Sequence, residues 1–217
     1  VTLADGTKYS SRAIIIATGV RRRKLIVPGE EELRGRGILE SGLTAKNEVS
    51  GKTVLIIGGG DAALENALIL SETAHKILVV HRGREFRSRT EFVQKARDAQ
   101  KIEFCLDTQI TNIIGTEAVE SVELKHLISG EITRVEVDAV LIRIGVEPNT
   151  ELFRGQIELD EPGYVIIDSN CATSLSGIFA AGDVVNRTAP TISAAVGHGA
   201  LAVKHIHRKI NFHNAQT

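Results

Sequence analysis

Thr53-Val54-Leu55-Ile56-Ile57-Gly58-Gly59-Gly60-Asp61-Ala62-Ala63-Leu64-Glu65-Asn66-Ala67 decides how the rest of the chain is read. Val54 to Ile57 form an apolar, largely β-branched run, the make-up of a strand buried on both faces. Gly58 permits a tight turn, Gly60 leaves room for a pyrophosphate to approach the backbone, and Ala63 is small enough for close helix–strand packing. Leu64, Ala67, Leu68 and Leu70 then put an apolar stripe on a helix, whose first N–H groups would point at phosphates. Lys76 to Val80 follows as a second strand, running into His81-Arg82. The result is a β-α-β unit, with a right-handed connection and a parallel sheet. A G-x-G-x-x-[GA] turn alone is a weak signal. With a strand before it and a helix and strand after it, this one reads as a dinucleotide site; the alternative is a glycine turn used only for packing.

Outward from this unit the chain alternates strands and turns. Val1 to Tyr9 reads as a hairpin with Asp5-Gly6 as its two-residue turn. Ala13 to Ala17 is a buried strand ending in Thr18-Gly19, and Arg21 to Lys24 is a cationic run, read either as a solvated loop or as a contact for phosphate or an acidic partner. Residues 35 to 52, with their Gly, Ser, Asn and Lys, read as a linker between domains. Thr90 to Gln100 is helical, and residues 101 to 142 alternate like strands, with Ser129-Gly130 turning a hairpin. Asp138 to Ile144 is a further strand, closed by Gly145-Val-Glu-Pro148-Asn149. Short strands are expected at Tyr164 to Ile167 and Ile178 to Ala181, a helix at 191 to 210, and a disordered tail from Asn211 to Thr217.

With 217 residues the chain can hold one large domain or two small ones. With a net charge of −1, nothing in the bulk electrostatics suggests a nucleic-acid or membrane partner, and no apolar run approaches the length of a membrane span. The two cysteines, Cys105 and Cys171, form no C-x-x-C and suggest neither a metal site nor a redox pair. They read as buried thiols and fit a reducing cytoplasm. The sequence begins at Val1 and contains no methionine, which reads as an N-terminal truncation.

Ala17-Thr18-Gly19, the Gly58-to-Ala63 turn, His81-Arg82 with Arg87, Gly145-x-x-Pro148-Asn149 and Ala181-Gly182-Asp183-Val184 occur together and in this order. The set resembles the low-molecular-weight thioredoxin reductases, within the two-dinucleotide-binding-domain pyridine nucleotide-disulfide oxidoreductase flavoproteins. The resemblance runs along essentially the whole chain but matches only about the last two-thirds of such an enzyme. It implies an α/β fold: a three-layer, Rossmann-like NADPH domain inserted in a second, here incomplete, FAD-binding Rossmann-like domain. By that analogy residues 1–45 end the first FAD segment, 46–148 form the NADPH domain, and 149–217 are the returning FAD segment. The family's own FAD glycine turn would lie before Val1. A homodimer is also implied.

The resemblance assigns cofactor contacts to Gly58, Gly59, Gly60, Asp61, Ala62 and Ala63 in the turn, and to Ala17, Thr18, Gly19 and Gly145. His81, Arg82 and Arg87 stand where a site for NADH would place a carboxylate on the ribose 2′-OH. Guanidinium groups pair instead with a 2′-phosphate, so NADPH is favoured. The family motif resembles H-R-R-x-x-x-R; Gly83 replaces its second arginine, with Arg84 as a candidate substitute. Glu65 matches a helix glutamate on the nicotinamide side, or is a solvated helix residue. Gly182 and Asp183 resemble the G-D pair whose aspartate accepts from a ribityl hydroxyl of FAD. The small residues around Ser193 and Ala194 would let a helix N-terminus approach the flavin. His198 is either a tuning group there or an ordinary helix histidine. No metal ligand is expected, and no catalytic residue, because hydride transfer from NADPH to the flavin needs no protein acid or base.

Thioredoxin reductases carry a C-x-x-C shortly before the NADPH domain's first strand. Counting from Gly35-Arg36-Gly37 and from Gly58-Gly59-Gly60 places Ser41-Gly42-Leu43-Thr44 there. A hydroxyl cannot cycle between dithiol and disulfide. The resemblance therefore implies electron transfer to an acceptor other than thioredoxin: a ferredoxin- or flavodoxin-like protein, or a quinone. The rivals are a thioredoxin-disulfide reductase-type enzyme that uses other cysteines, and a non-enzymatic NADPH-binding remnant.

Overall fold

The structure is a computed structural model that describes residues 1–214. The chain divides into two compact units, one built from residues 1–21 and the chain from 146 onward, the other from residues 22–145.

In the first unit, β1 (Ile14–Ile16) pairs in parallel with β12 (Ile178–Ala180), Ile15 opposite Phe179. The β2 strand (Val20–Arg22) and β11 (Val146–Pro148) form a second two-stranded sheet. Ile16, Ala180, Val165 and Val184 make one core cluster. Cys171, Phe179 and Ala202 make another, which seats the long helix α4 (Ile192–Asn214).

The second unit is a three-layer sandwich. Its middle layer is a parallel sheet in the order β3 (Ile38–Leu39), β10 (Ala139–Ile142), β4 (Thr53–Ile57), β5 (Lys76–Val80), β6 (Ile102–Cys105). The alternation of strand side chains feeds two separate cores. Val54, Ile56, Ile77 and Val79 pack under α2 (Asp61–Ser71), with Ala63, Leu64, Ala67 and Leu70 of that helix. The short α1 (Gly42–Ala45) and α3 (Thr90–Asp98) contribute Ala45 and Ala96 to the same cluster. On the opposite face Leu55, Ile57, Leu78 and Val80 pack against the antiparallel sheet β7 (Thr108–Gly115), β8 (Val119–His126), β9 (Ile132–Glu136). Val54, Leu55 and Ile56 have no exposed surface. At about 1.5–3 kcal/mol for each fully buried aliphatic side chain, this strand is the unit's main anchor. Its sequence is apolar at every position from 54 to 57 because both faces are covered.

Several expectations need correction. Residues 22–45, assigned to the first FAD segment, belong with the second unit. The stretch 35–52 is no linker: Ile38 pairs with Val140, and Ala45 and Val49 are buried. The hairpin at 1–9 turns through Ala4, Asp5 and Gly6, because Gly6 N–H donates to Leu3 O and Leu3 N–H to Thr7 O. That is a three-residue loop with Gly6 at φ +86°. Tyr164 to Ile167 makes only an isolated bridge, Leu159 to Val165. Asn211 to Asn214 continue α4; the remainder of the expected disordered tail lies outside the described residues.

Candidate functional site

The glycine turn connects β4 to α2. Gly58 has φ +147°, and a Cβ there would stand 2.1 Å from the carbonyl oxygen of Arg143. Only glycine fits without moving the neighbouring strand. Gly58 N–H donates to Val80 O at 3.0 Å, and Arg143 N–H to Ile57 O at 2.7 Å, so the turn is locked to strands on both sides. Gly60 differs. It is extended, caps α2, and has nothing within 4 Å of an added Cβ. Ala63, fully buried, lies 3.1 Å from where a Gly58 Cβ would be. Open space therefore sits beside Gly60 at a helix N-terminus, the geometry of an anion site.

The loop after β5 is bound onto that turn. Arg87 N–H donates to Gly59 O at 2.8 Å. The Asp61 carboxylate accepts from Ser88 Oγ (2.8 Å), Arg89 N–H (2.7 Å) and Arg89 Nε (3.0 Å). The Arg89 N–H first, then Ser88 and the Arg89 charge, hold the Asp61 carboxyl below the usual carboxylate range. Arg89 is pinned further by Glu91 at 3.3 Å and by the Phe92 ring at 4.2 Å. His81 closes the loop on itself: its Nε2 contacts Glu85 O at 3.0 Å and its ring stacks on Phe86. The His81 ring also underlies Gly59, where a Cβ would come within 2.4 Å of it. Arg84, the candidate substitute for the motif's second arginine, is committed to Asp107 at 2.9 Å. Among the described residues only Arg82 and Arg87, of this loop's four arginines, are exposed with no hydrogen bond or ion pair from their side chains. Glu65 and Ala62 are exposed on α2. Gly145 ends the unit at φ +94°, with its carbonyl accepting from Arg23 N–H.

In the other unit the carboxyl ends of β1 and β12 and the first turns of α4 border an open cavity of about 500 Å³. Ala17, Gly19, Gly182 and Asp183, four of the residues expected to contact a cofactor, line this cavity. Position outside strand carboxyl ends is where ligands of open α/β sheets bind. Asp183 takes part in no side-chain hydrogen bond or ion pair among the described residues, so its carboxylate is available to a ligand. Thr18 is not a lining residue. Its Oγ1 donates to Asn149 O at 2.7 Å while Asn149 Nδ2 donates to Thr18 O at 2.8 Å, a clasp between the two motifs. Ser193 and Ala194 are not lining residues either; Thr191, Ala195 and Gly199, one face of α4, are. Thr191, which begins the helix in the sequence but is not among the expected contacts, accepts from Ala194 N–H through its Oγ1 at 3.2 Å, as a capping threonine does. His198 keeps Nδ1 buried without a hydrogen-bond partner, and its carbonyl accepts from Cys171 Sγ at 3.5 Å.

Ser41 to Thr44 sit at the start of α1, where Gly42 N–H donates to Asn66 Oδ1 at 2.8 Å and Thr44 Oγ1 to Ser41 O at 3.3 Å. Burial first, then Glu103, pushes the Cys105 thiol up; burial and Asp168 do the same to Cys171. Neither is a ready thiolate. The cationic run spans the division between the units, and most of it is spent on partners in the unit each residue belongs to. Arg21 pairs with Glu147 at 2.7 Å and with Glu151, Arg22 donates to Glu40 O, and Lys24 pairs with Glu31 at 2.5 Å. No group of metal-ligating side chains is found among the described residues.

A family profile described as pyridine nucleotide-disulphide oxidoreductase matches residues 1–199. The thioredoxin reductase of Mycolicibacterium smegmatis is 38% identical over 203 residues, which cover 93% of this chain and 65% of that protein. The bifunctional thioredoxin reductase/thioredoxin of Mycobacterium leprae is 36% identical over 203 residues, covering 93% and 44%. The crystal structure of Lactococcus lactis thioredoxin reductase matches with a TM-score of 0.82 at 34% identity, over 90% of this chain and 65% of that one. The chain thus spans less than two thirds of the length of these relatives.

Proposed function

Because the chain belongs to the pyridine nucleotide-disulphide oxidoreductase family, we propose that it serves an FAD-dependent oxidoreductase that oxidises NADPH, with residues 22–145 holding the nucleotide and the other unit contributing to the FAD site. One observation carries the nucleotide reading. Arg82 and Arg87 are left unpaired on a loop fastened to Gly59 and Asp61, while Arg84 and Arg89 are consumed by carboxylates. Two free guanidinium groups beside an open glycine turn fit a 2′-phosphate and a pyrophosphate. The cradle fits the group: Gly60 has room where a side chain would otherwise project.

For FAD the support is the Asp183 carboxylate, free in a cavity that Gly182 and the start of α4 also line. Asp183 can accept from a ligand hydroxyl, and the α4 N-terminus favours negative charge nearby. Bound FAD supplies the two-electron acceptor for the nicotinamide hydride. The chain's own residues then bind and orient, and none has to move a proton.

The electron acceptor is proposed to be something other than thioredoxin reached through a dithiol of this chain: a ferredoxin- or flavodoxin-like protein, or a quinone. Ser41 and Thr44 carry hydroxyls, and Cys105 and Cys171 are shielded thiols with raised pKa values. A homodimer in the cytoplasm completes the proposal. The test uses the intact protein: record its visible spectrum, then add NADPH anaerobically, and NADH in parallel. A yellow protein bleached faster by NADPH is expected; a colourless one overturns the FAD reading, and equal rates overturn the NADPH preference. Stopped-flow reoxidation by ferredoxin, quinone and thioredoxin then separates the acceptors. Fast turnover with thioredoxin would favour cysteines outside residues 1–217.

A further inference from the structure

The Asp61 carboxylate does not face the open space beside Gly60. All its contacts run to the other loop: Ser88 Oγ, Arg89 N–H and Arg89 Nε, at 2.7–3.0 Å. A carboxylate at the first position of a pyrophosphate-binding helix would repel the ligand if it were free. Here the Arg89 cation neutralises it, and the Glu91 and Phe92 contacts keep Arg89 from turning elsewhere. Arg87, two residues before Arg89, is bound through its backbone N–H to Gly59 O, and its side chain stays free. Arg82 lies at the other end of the same loop, which His81 closes through Glu85 O and Phe86.

We propose that Asp61 is a positioning residue for nucleotide selection: with Ser88 and Arg89 it fastens the 82–89 loop to the glycine turn, and so holds Arg82 and Arg87 where a 2′-phosphate would lie. The inference rests on the reading of those two arginines given above. Its physical content is preorganisation. A loop clamped before the ligand arrives does not lose that freedom on binding. The clamp acts on the 2′-phosphate alone, because the turn itself is locked independently through Gly58 to Val80 and Ile57 to Arg143.

The intact protein is titrated calorimetrically with 2′,5′-ADP and with 5′-AMP, which differ by the 2′-phosphate. Asp61→Ala is expected to weaken 2′,5′-ADP about tenfold and 5′-AMP by less than about twofold. Asp61→Asn keeps an acceptor for Ser88 and the Arg89 N–H but loses the charge; it is expected to fall between wild type and Asp61→Ala, and it guards against a variant that fails to fold. Equal weakening of both ligands would mean that Asp61 merely shapes the turn, and unchanged 2′,5′-ADP affinity in both variants would mean that the loop needs no clamp; either result overturns the inference. A wild type that binds both ligands alike would instead overturn the 2′-phosphate reading beneath it.

Discussion

Gly58 and Gly60 stand two residues apart in one turn, and adding a methyl group to each should have opposite consequences. In Gly58→Ala the new Cβ would lie 2.1 Å from Arg143 O and 2.9 Å from its carbon. Contact distance requires the carbonyl to move by about 1 Å. The carbonyl cannot move freely, because Arg143 N–H is bonded to Ile57 O at 2.7 Å. Overpacking of this kind costs about 1–3 kcal/mol, and φ of +147° is a conformation alanine resists, at about 1–3 kcal/mol more. The combined loss of about 2–6 kcal/mol would lower Tm by roughly 5–20 °C at this chain size. Gly60→Ala meets nothing within 4 Å and has an extended backbone at φ −99°. Its Tm should stay within about 2 °C of wild type. Its methyl group, however, occupies the space assigned to the pyrophosphate, and NADP⁺ affinity should fall by at least about thirtyfold. Thermal unfolding and calorimetric titration with NADP⁺ read the two effects separately. A Gly60→Ala protein that binds NADP⁺ normally would refute the placement of the pyrophosphate, and a Gly58→Ala protein of wild-type stability would refute the packing argument.

The remaining predictions concern charge and thiols. Arg82→Ala and Arg87→Ala should each reduce NADPH affinity by about tenfold or more and leave NADH nearly unchanged, whereas Arg84→Ala, removing a side chain already committed to Asp107, should preserve the preference; nucleotide titrations of the three variants decide it. Burial, aided by Arg82 and Arg87 and opposed by the Glu85 contact, keeps the His81 imidazole below its ordinary pKa of 6.5. The unfolded chain then takes up a proton that the folded one refuses, so stability is full above about pH 6.5 and is lost as pH falls through the folded pKa; denaturation across pH 5–8 (about that range) should show this slope, and His81→Phe should flatten it. Cys105 and Cys171 should react slowly with a thiol reagent in the native protein, and NADPH should expose no additional fast thiol; a new fast-reacting pair would point to dithiol chemistry within the chain.

The core of the second unit was legible because its strands are long enough to show a pattern. Thr53–Ile57 and Lys76–Val80 are continuous apolar runs bounded by turns, and burial on both faces demands that composition. The stretch from 35 to 52 failed for the opposite reason. Its strand has two residues and its helix four, too short for any periodicity, and its buried Ala45 and Val49 are isolated among polar residues. At the start of α4 the sequence shows a run of small residues but not which of them face the cavity, which Thr191, Ala195 and Gly199 line and Ser193 and Ala194 do not. A helix turns 100° per residue, so its facing side depends on where it begins, which the sequence leaves uncertain by a residue or two.

Charge was the least legible property, because a sequence counts cations while a fold pairs them. Arg21 to Lys24 is the densest basic run in the chain, yet Arg21, Arg22 and Lys24 contact glutamates distant in sequence or a carbonyl of one of them. These exposed pairs contribute little to stability, but they lower the net positive field an acidic partner would meet. The arginines after β5 look similar in sequence, and half of them are spent in the same way. What separates Arg82 and Arg87 is that Asp107 and Asp61 have taken their neighbours. Gly83 at the second arginine position is therefore not made good by Arg84, whose side chain Asp107 has taken, and the selection rests on Arg82 and Arg87. The cations available to an anionic ligand are set by the carboxylates the fold brings to the loop, and Asp61 is the one that also ties that loop to the glycine turn.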